Sequence, residues 1–267
     1  MKFFSSSRRG SSASPRPSAD GSVRMGKAKV FFYDNPDSDR CVLVFPDTDG
    51  VDGGRVKENC ARLSALYKVV LVDLNPENNF PPDQKAKPRV GLLEYFRPVA
   101  EAFHLAQWIR KHDFDHMRAQ INDVFAYMQR DHDVTNFALM GYTWGALFAW
   151  RYCSMEGLPI SCGILVSPCG FIDGFTLCFG PGRDLGQQVL VPQLLLCGQD
   201  EFDHLKPGKE VETDLKSRPF TSELRHFPDM QDRWFSRGDL SDPQVARDVQ
   251  VAWDDAIVPF LALNHLH

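Results

Sequence analysis

The 267-residue chain has no apolar run near the roughly 20 residues that a membrane span requires, so the sequence predicts no membrane span. None of its seven cysteines forms a C-x-x-C pair, and we predict neither a metal site nor a cofactor. Several cysteines lie in apolar runs typical of reduced core thiols. A reducing intracellular compartment is therefore favoured over secretion.

Acidic residues are scarce at the start of the chain. The first 29 residues carry seven Lys or Arg against Asp20, which leaves a charge of +6 there and −11 on the remainder of a chain of net charge −5. The same stretch is rich in serine and proline and has too little apolar surface to fold alone. We predict a basic tail over residues 1–27 that is disordered unless bound to a partner, and one folded domain over residues 28–267.

This tail leaves more than one interpretation open. Its Arg- and Ser-rich composition is also typical of a mitochondrial transit peptide, although a partner-binding arm in a cytoplasmic or cytoskeletal assembly is favoured. Nucleic-acid binding is not expected, because no basic patch with interleaved aromatic residues accompanies Arg8 and Arg9.

Residues 136–149, NFALMGYTWGALFA, have the pattern of a nucleophile elbow. An apolar run predicts a strand, Gly141 and Gly145 bound a tight turn, and a segment that favours a helix follows. Thr143 stands at the centre, where a reactive oxygen or sulfur would lie. A β-branched residue tolerates the positive φ of such a bend badly, and its hydroxyl attacks only when a base removes the proton. An ordinary strand-to-helix turn is the alternative.

The rest of the chain alternates predicted strands and helices. Strands are predicted at residues 29–33 (an edge), 41–45, 68–72, 161–166, 191–196 and 223–227, and helices at 55–66, at 106–128 and from the N-cap Asp242 onward. Residues 75–98 contain five prolines and no periodicity, which predicts a surface excursion. Because helical crossovers join parallel strands, the strand ends should share one ligand-binding edge.

Five segments, taken in order, resemble the dienelactone hydrolase family. They are VLVFPDTDGV, YKVVLVDL, GYTWGA, LLLCGQDEF and FPDMQDRWFSRGDLSDP. The resemblance covers roughly residues 28–264. It implies an α/β-hydrolase fold with a mostly parallel central sheet and helices on both faces.

The resemblance also implies a substituted catalytic triad. Members of the family carry Cys or Ser at the elbow, Asp after the penultimate strand, and His shortly before an Arg-Gly pair. Thr143 occupies the first position and Asp200 the second, while alignment on the Arg-Gly pair puts Asp232 at the histidine position. The family's acidic residue near the nucleophile corresponds to Asp47. Since an aspartate has a reference pKa of about 4, Asp232 would be a weak general base.

Five more residues are expected to line a pocket beside these positions, namely Tyr142, Trp144, His204, Trp234 and Arg237. His204 is the better substitute base, because it follows Asp200 by four residues in a predicted loop, whereas His226 lies inside the last predicted strand. A surface histidine is the alternative interpretation of His204.

Three functions remain open from the sequence. The substituted triad favours a hydrolase fold that has lost catalysis and serves as a structural or interaction subunit, binding protein partners through the tail. The second is an active esterase or lactonase that uses Thr143 with His204 or Asp232. The third is a pocket that binds a small acyl or carboxylate ligand without reaction, through Arg237.

Overall fold

The computed structural model describes residues 21–75, 107–108, 111–168 and 185–265. Eight strands within these ranges form one sheet in the order β1-β2-β4-β3-β5-β6-β7-β8. Their bounds are β1 Val23–Met25, β2 Ala28–Tyr33, β3 Arg40–Phe45, β4 Lys68–Val72, β5 Asn136–Tyr142, β6 Ile160–Val166, β7 Gln193–Cys197 and β8 Glu223–His226. The strands from β4 to β8 along this order are parallel, whereas β1 and β2 are antiparallel additions.

Helices cover both faces of the sheet. They are α1 Val56–Leu63, α2 Phe114–Asp131, α3 Trp144–Cys153, α4 Leu185–Gln188, α5 Glu210–Lys216, α6 Trp234–Arg237, α7 Pro243–Val251 and α8 Val258–Asn264, with a π-helical turn, Ala252–Ile257, between α7 and α8. None of the described helices combines the length and the apolar character that crossing a membrane requires.

Burial on both faces explains why the central strands are continuous apolar runs. In β3, Cys41, Leu43 and Phe45 belong to the core that contains α2 and α3, whereas Val42 and Val44 belong to the core that contains α1 and the last helices. Successive side chains of a strand point to opposite faces, so a strand buried on both sides needs apolar residues at every position. The predicted α/β fold with a mostly parallel sheet and helices on both faces is confirmed.

The amino-terminal boundary of the domain differs from the expectation. β1 lies inside the predicted tail of residues 1–27, where it pairs with β2 and buries Val23 and Met25. Gly26 turns the chain between the two strands at φ +60°, and Lys27 N–H donates to Asp123 of α2. The strand at residues 29–33 is therefore not an edge, because β1 covers it. Residues 1–20 lie outside the described residues.

Two helix predictions have different outcomes. The helix predicted at 106–128 is described as α2 from Phe114 onward, because the Asp113 carboxylate caps it by accepting from His116 N–H at 2.8 Å. The closing helix begins as predicted, with Asp242 accepting from Gln244 N–H at 2.8 Å. Of the predicted surface excursion at 75–98, only residue 75 is described.

The last helix changes pitch in the π-helical turn just before Pro259. Proline has no N–H to donate and its ring crowds the carbonyl of the preceding turn. A widened turn accommodates that crowding without breaking the helix. The apolar face therefore continues through the turn, where Trp253, Ile257 and Phe260 are all buried.

Five of the seven cysteines lie in the described residues, and all five are buried and unpaired: Cys41, Cys60, Cys153, Cys162 and Cys197. Burial raises the pKa of each of these thiols, so they are unreactive core residues.

Replacing Met25 with alanine is expected to lower the free energy of unfolding by about 2–5 kcal/mol, since core truncations of this size leave a cavity. The side chain is 0% exposed in β1. Urea denaturation measures the change. Arg24 is exposed on the same strand, and Arg24→Ala should change stability by less than about 0.5 kcal/mol. Equal small effects at both positions would show that β1 does not belong to the core.

Candidate functional site

The bend between β5 and α3 has the backbone of a nucleophile elbow. Thr143 lies between them at φ +48° and ψ −103°, in the positive-φ region that the motif predicts. Its N–H donates to Val166 O of β6 at 2.8 Å, and its carbonyl accepts from Ala146 N–H at 3.2 Å. A β-branched residue held at positive φ is strained by roughly 1–3 kcal/mol, so the surrounding structure imposes this conformation.

The two glycines of the motif are required by close approach. A Cβ added to Gly141 would collide with the Ala146 backbone, and one added to Gly145 would collide with the carbonyls of Phe45 and Pro46. The start of α3 therefore packs directly on the end of β3. The small residues predicted around the bend have the steric role that the motif assigns them.

The Thr143 hydroxyl lies in a secluded position. The residue is 4% exposed, and its side chain makes no hydrogen bond to another described residue. Six histidines lie in the described ranges: His112, His116, His132, His204, His226 and His265. None of them is hydrogen-bonded to Thr143.

Asp200 and Asp232 come together across the ends of β7 and β8. The Asp232 N–H donates to the Asp200 carboxylate at 3.2 Å. Two backbone hydrogen bonds join the same loops, from Phe227 N–H to Cys197 O and from Gln199 N–H to Met230 O, each 2.8 Å long. The structure thus brings Asp200 into contact with the backbone of Asp232.

The carboxylate of Asp232 is electrostatically engaged. Its Oδ2 lies 3.3 Å from Arg233 Nε. Burial raises the pKa of Asp232, and the charge of Asp200 adds to this rise, while Arg233 opposes it. A carboxyl group with a raised pKa is still a poor substitute for imidazole. The two ring nitrogens of imidazole can bridge a nucleophile and an acid such as Asp200, and a carboxyl group has no such pair of nitrogens.

Two arginines are held by the aspartates of the loop after β3. Arg233 Nη1 lies 2.7 Å from Asp49 Oδ2, and Arg237 contacts the same oxygen. Arg237 Nε also lies 3.6 Å from Asp47 Oδ2. Burial raises the pKa of Asp47, which is 0% exposed, and the Arg237 charge partly offsets that rise. Both guanidinium groups are thus neutralised within the protein.

Arg55 is a structural residue of the site that the sequence did not single out. Its guanidinium donates to three carbonyls of α6 and its C-cap: Trp234 O at 3.0 Å, Phe235 O at 3.0 Å and Gly238 O at 2.5 Å. Phe235 O and Gly238 O lie at the helix end, where a positive charge is favourable, while Trp234 O also accepts from Gly238 N–H at 2.8 Å. The preceding Gly54, at φ +57°, has no room for a side chain against Ser236. The adjacent glycines before Arg55 are the signal that could have indicated this close packing.

The three predicted aromatic residues lie in the two cores. Tyr142 and Trp234 are buried in the core of α1 and the last helices, whereas Trp144 is buried in the core of α2 and α3. The Tyr142 hydroxyl accepts from Asn59 Nδ2 at 3.1 Å. Since these cores lie on opposite faces of the sheet, the aromatic residues flank the bend and do not form one common wall.

The candidate substitute bases, His204 and His226, lie on separate elements. His204 is half-buried in a short 3-10 turn and stacks near Phe202, with ring centroids 6.0 Å apart. His226 is exposed on β8. The ring of another histidine, His112, lies 6.4 Å from the Trp144 ring of the elbow helix, and its Nδ1 lies 2.8 Å from Trp108 O. Among the described residues no group of three His, Cys, Asp or Glu could hold a metal ion.

Comparison with solved structures identifies the architecture. A dienelactone hydrolase-like promiscuous phosphotriesterase from metagenomic libraries is similar over 91% of this chain and 96% of its own, with 16% identity and a TM-score of 0.58. The chain has the α/β-hydrolase fold. Dienelactone hydrolase from Anabaena variabilis matches over 89% of this chain and 95% of its own, with 15% identity and a TM-score of 0.52.

A third similar structure comes from another organism. Est1E from Butyrivibrio proteoclasticus matches over 88% of this chain and 98% of its own, with 10% identity and a TM-score of 0.54. No protein-family model and no curated protein matches the sequence. At such identities the similarity establishes the fold of the chain, which its dienelactone hydrolase-like neighbours share. The activity of the chain has to be inferred from the site itself.

Replacing Arg55 with methionine is expected to destabilise the protein by at least about 2 kcal/mol, because it leaves three carbonyls of α6 and its C-cap without their charged donor. Chemical denaturation measures the change. Arg62→Met is the matched control on α1, since its side chain is exposed and pairs with Asp254 at 3.1 Å; its loss should cost under about 1 kcal/mol. Similar losses for both variants would mean that Arg55 does not anchor α6.

Proposed function

We propose that this protein is an α/β-hydrolase-fold protein that has lost hydrolytic catalysis and serves as an interaction subunit of a larger assembly. The observation that carries the proposal is the contact between Asp200 and the backbone of Asp232, since it supports the alignment of Asp232 with the general-base position of the family. Loss of one triad member alone lowers hydrolytic rates by several powers of ten. By the resemblance, two positions of the three are substituted in this chain.

The chemistry of the remaining groups supports this loss. A threonine hydroxyl is nucleophilic only while a base withdraws its proton. The neighbouring carboxylates are Asp47, Asp200 and Asp232, and the first and last of these are ion-paired with Arg237 and Arg233. Carboxylates in such pairs stabilise the fold and are weak proton acceptors at neutral pH.

The charge distribution supports a role in binding other proteins. Residues 1–20 carry four Lys or Arg against Asp20, a charge of +3, and the remainder carries −8, so this basic segment and the folded body suit different partner surfaces. A segment of this composition orders when it binds. We place the assembly in the cytoplasm or the cytoskeleton, with the mitochondrion as the other compartment that fits such a segment.

Binding of a small carboxylate ligand through Arg237 receives less support than it did from the sequence. Arg237 contacts Asp47 and Asp49, and Arg233 also contacts Asp49, so an anionic ligand would compete with aspartates already in contact. An acyl ligand without charge does not meet this competition. We therefore rank partner binding ahead of ligand binding.

One observation favours the alternative, an active esterase or lactonase. Thr143 keeps the strained backbone of a working elbow, at φ +48°. Strain of this kind clusters at functional sites. In this alternative, His204 or Asp232 moves close enough to take the hydroxyl proton, and the hydroxyl attacks the ester carbonyl.

Hydrolysis of an activated ester, p-nitrophenyl acetate, decides between the two. The protein and its Thr143→Ala variant are expected to release nitrophenol at equal rates, close to that of an exposed-surface variant such as His226→Gln. A rate at least about tenfold higher in the parent than in Thr143→Ala, an effect of about 1.4 kcal/mol on the barrier, would establish the active enzyme. His204→Ala and Asp232→Ala would then identify the base.

Pull-down from native extract tests the interaction role. The full chain is expected to recover at least one protein partner, and a chain that begins at residue 21 is expected to recover it poorly, because the basic segment is missing. Starting at residue 21 keeps β1 intact, so the shortened chain should fold with an unchanged melting temperature. Recovery of the free monomer in both cases would count against an interaction subunit.

A further inference from the structure

The last helix ends on a buried histidine at the edge of the sheet opposite to the elbow. His265 follows α8 as its C-cap, and its N–H donates to Leu261 O at 2.8 Å. The residue is 0% exposed, and its Nδ1 lies 2.8 Å from Ser161 Oγ at the start of β6. This contact fastens the carboxyl end of the helix to the sheet.

The other ring nitrogen of His265, Nε2, is buried and has no hydrogen-bond partner among the described residues. A neutral imidazole tolerates this, since one nitrogen can remain a bare acceptor or an unsatisfied weak donor. An imidazolium does not tolerate it, because a buried charge without a partner is far more unfavourable than a buried neutral group.

The groups that face His265 do not supply a counter-charge. Just before β3 the carboxylate of Asp39 lies 3.5 Å from Arg40 at the start of that strand, so those two charges compensate each other, and the Cys41 backbone favours the protonated ring but carries no charge. Tyr67, before β4, contributes its ring at a centroid distance of 5.0 Å, and β6 contributes Ser161. Burial, with the Arg40 charge adding to it, lowers the pKa of His265 to about 4.

We propose that the Ser161–His265 contact is an acid-sensitive latch, which holds the end of the last helix on the sheet while the imidazole is neutral and releases it when the imidazole is protonated. The helix dipole would favour a positive charge at this helix end, so burial has overridden the usual preference. Release exposes the imidazole to water together with the Tyr67 ring on which it packs.

The direction of the effect follows from the two pKa values. His265 has a pKa of about 4 in the folded protein and 6.5 as a free side chain, so the open state binds more protons between them. The latch is therefore complete above pH 6.5 and weakens as the pH falls toward 4. At about pH 4.5 the equilibrium should shift toward the open state by about 10²-fold relative to neutral pH.

Hydrogen exchange of the last helix, residues 258–265, tests the latch in the full chain. After correction for intrinsic exchange rates, protection of this segment is expected to fall by about 10²-fold between about pH 7 and pH 4.5, while β3 and β5 keep theirs. The last helix is compared with strands of the same protein because acidification also changes the stability of the whole fold. Buried acids with a raised pKa, such as Asp47 and Asp73, raise the free energy of unfolding as the pH falls.

Two variants make the test specific. His265→Gln keeps a polar side chain that does not titrate, and its last helix should show no pH-dependent loss of protection. His226→Gln removes an exposed histidine on β8 and should behave like the parent protein. If His265→Gln fails to fold, His265→Phe retains the ring contact with Tyr67 and carries the same expectation. The same loss of protection in a His265 variant as in the parent, or a loss spread evenly over the sheet, would overturn the latch.

Discussion

The bend at Thr143 is the constraint on which the arrangement of the site depends. It lies at the end of β5, between β3 and β6 in the sheet, and two glycines allow α3 to pack directly on the end of β3. The loop after β3 is joined to α6, where Arg237 contacts both Asp47 and Asp49.

Around that bend, the polar groups connect separate segments of the protein. Arg233 and Arg237 join the loop after β3 to α6 through Asp49, and Arg55 joins the start of α1 to the end of the same helix. These contacts among the described residues link protein segments to one another, and none of them includes the Thr143 hydroxyl.

Much of this arrangement can be predicted from the sequence. The strands buried on both faces are unbroken apolar runs, the glycines of the elbow are sterically required, and the family resemblance puts Asp232 close to Asp200. These features are local, or follow from the parallel order of the strands. The short strand β1 could not be predicted, because three residues carry too little periodicity to separate it from a polar tail.

Long-range packing accounts for the other omissions. Arg55 donates to the carbonyl of Phe235, 180 residues further along the chain, and nothing in the sequence around Arg55 indicates that partner. Tyr142 and Trp144 are separated by one residue yet enter different cores, because the chain passes from strand to helix between them. A pocket predicted from residues that are adjacent in sequence therefore mixes two faces of the sheet.

The conformation of Arg233 has a consequence for the loop that carries Asp232. The residue adopts a left-handed backbone at φ +60°, and its guanidinium contacts both Asp49 and its neighbour Asp232. A substitution that removed the Asp232 carboxylate would take away one of the two acids that balance this arginine, in a place already strained. The connection between β8 and α6 therefore tolerates changes at position 232 poorly, whatever the chemistry of the site.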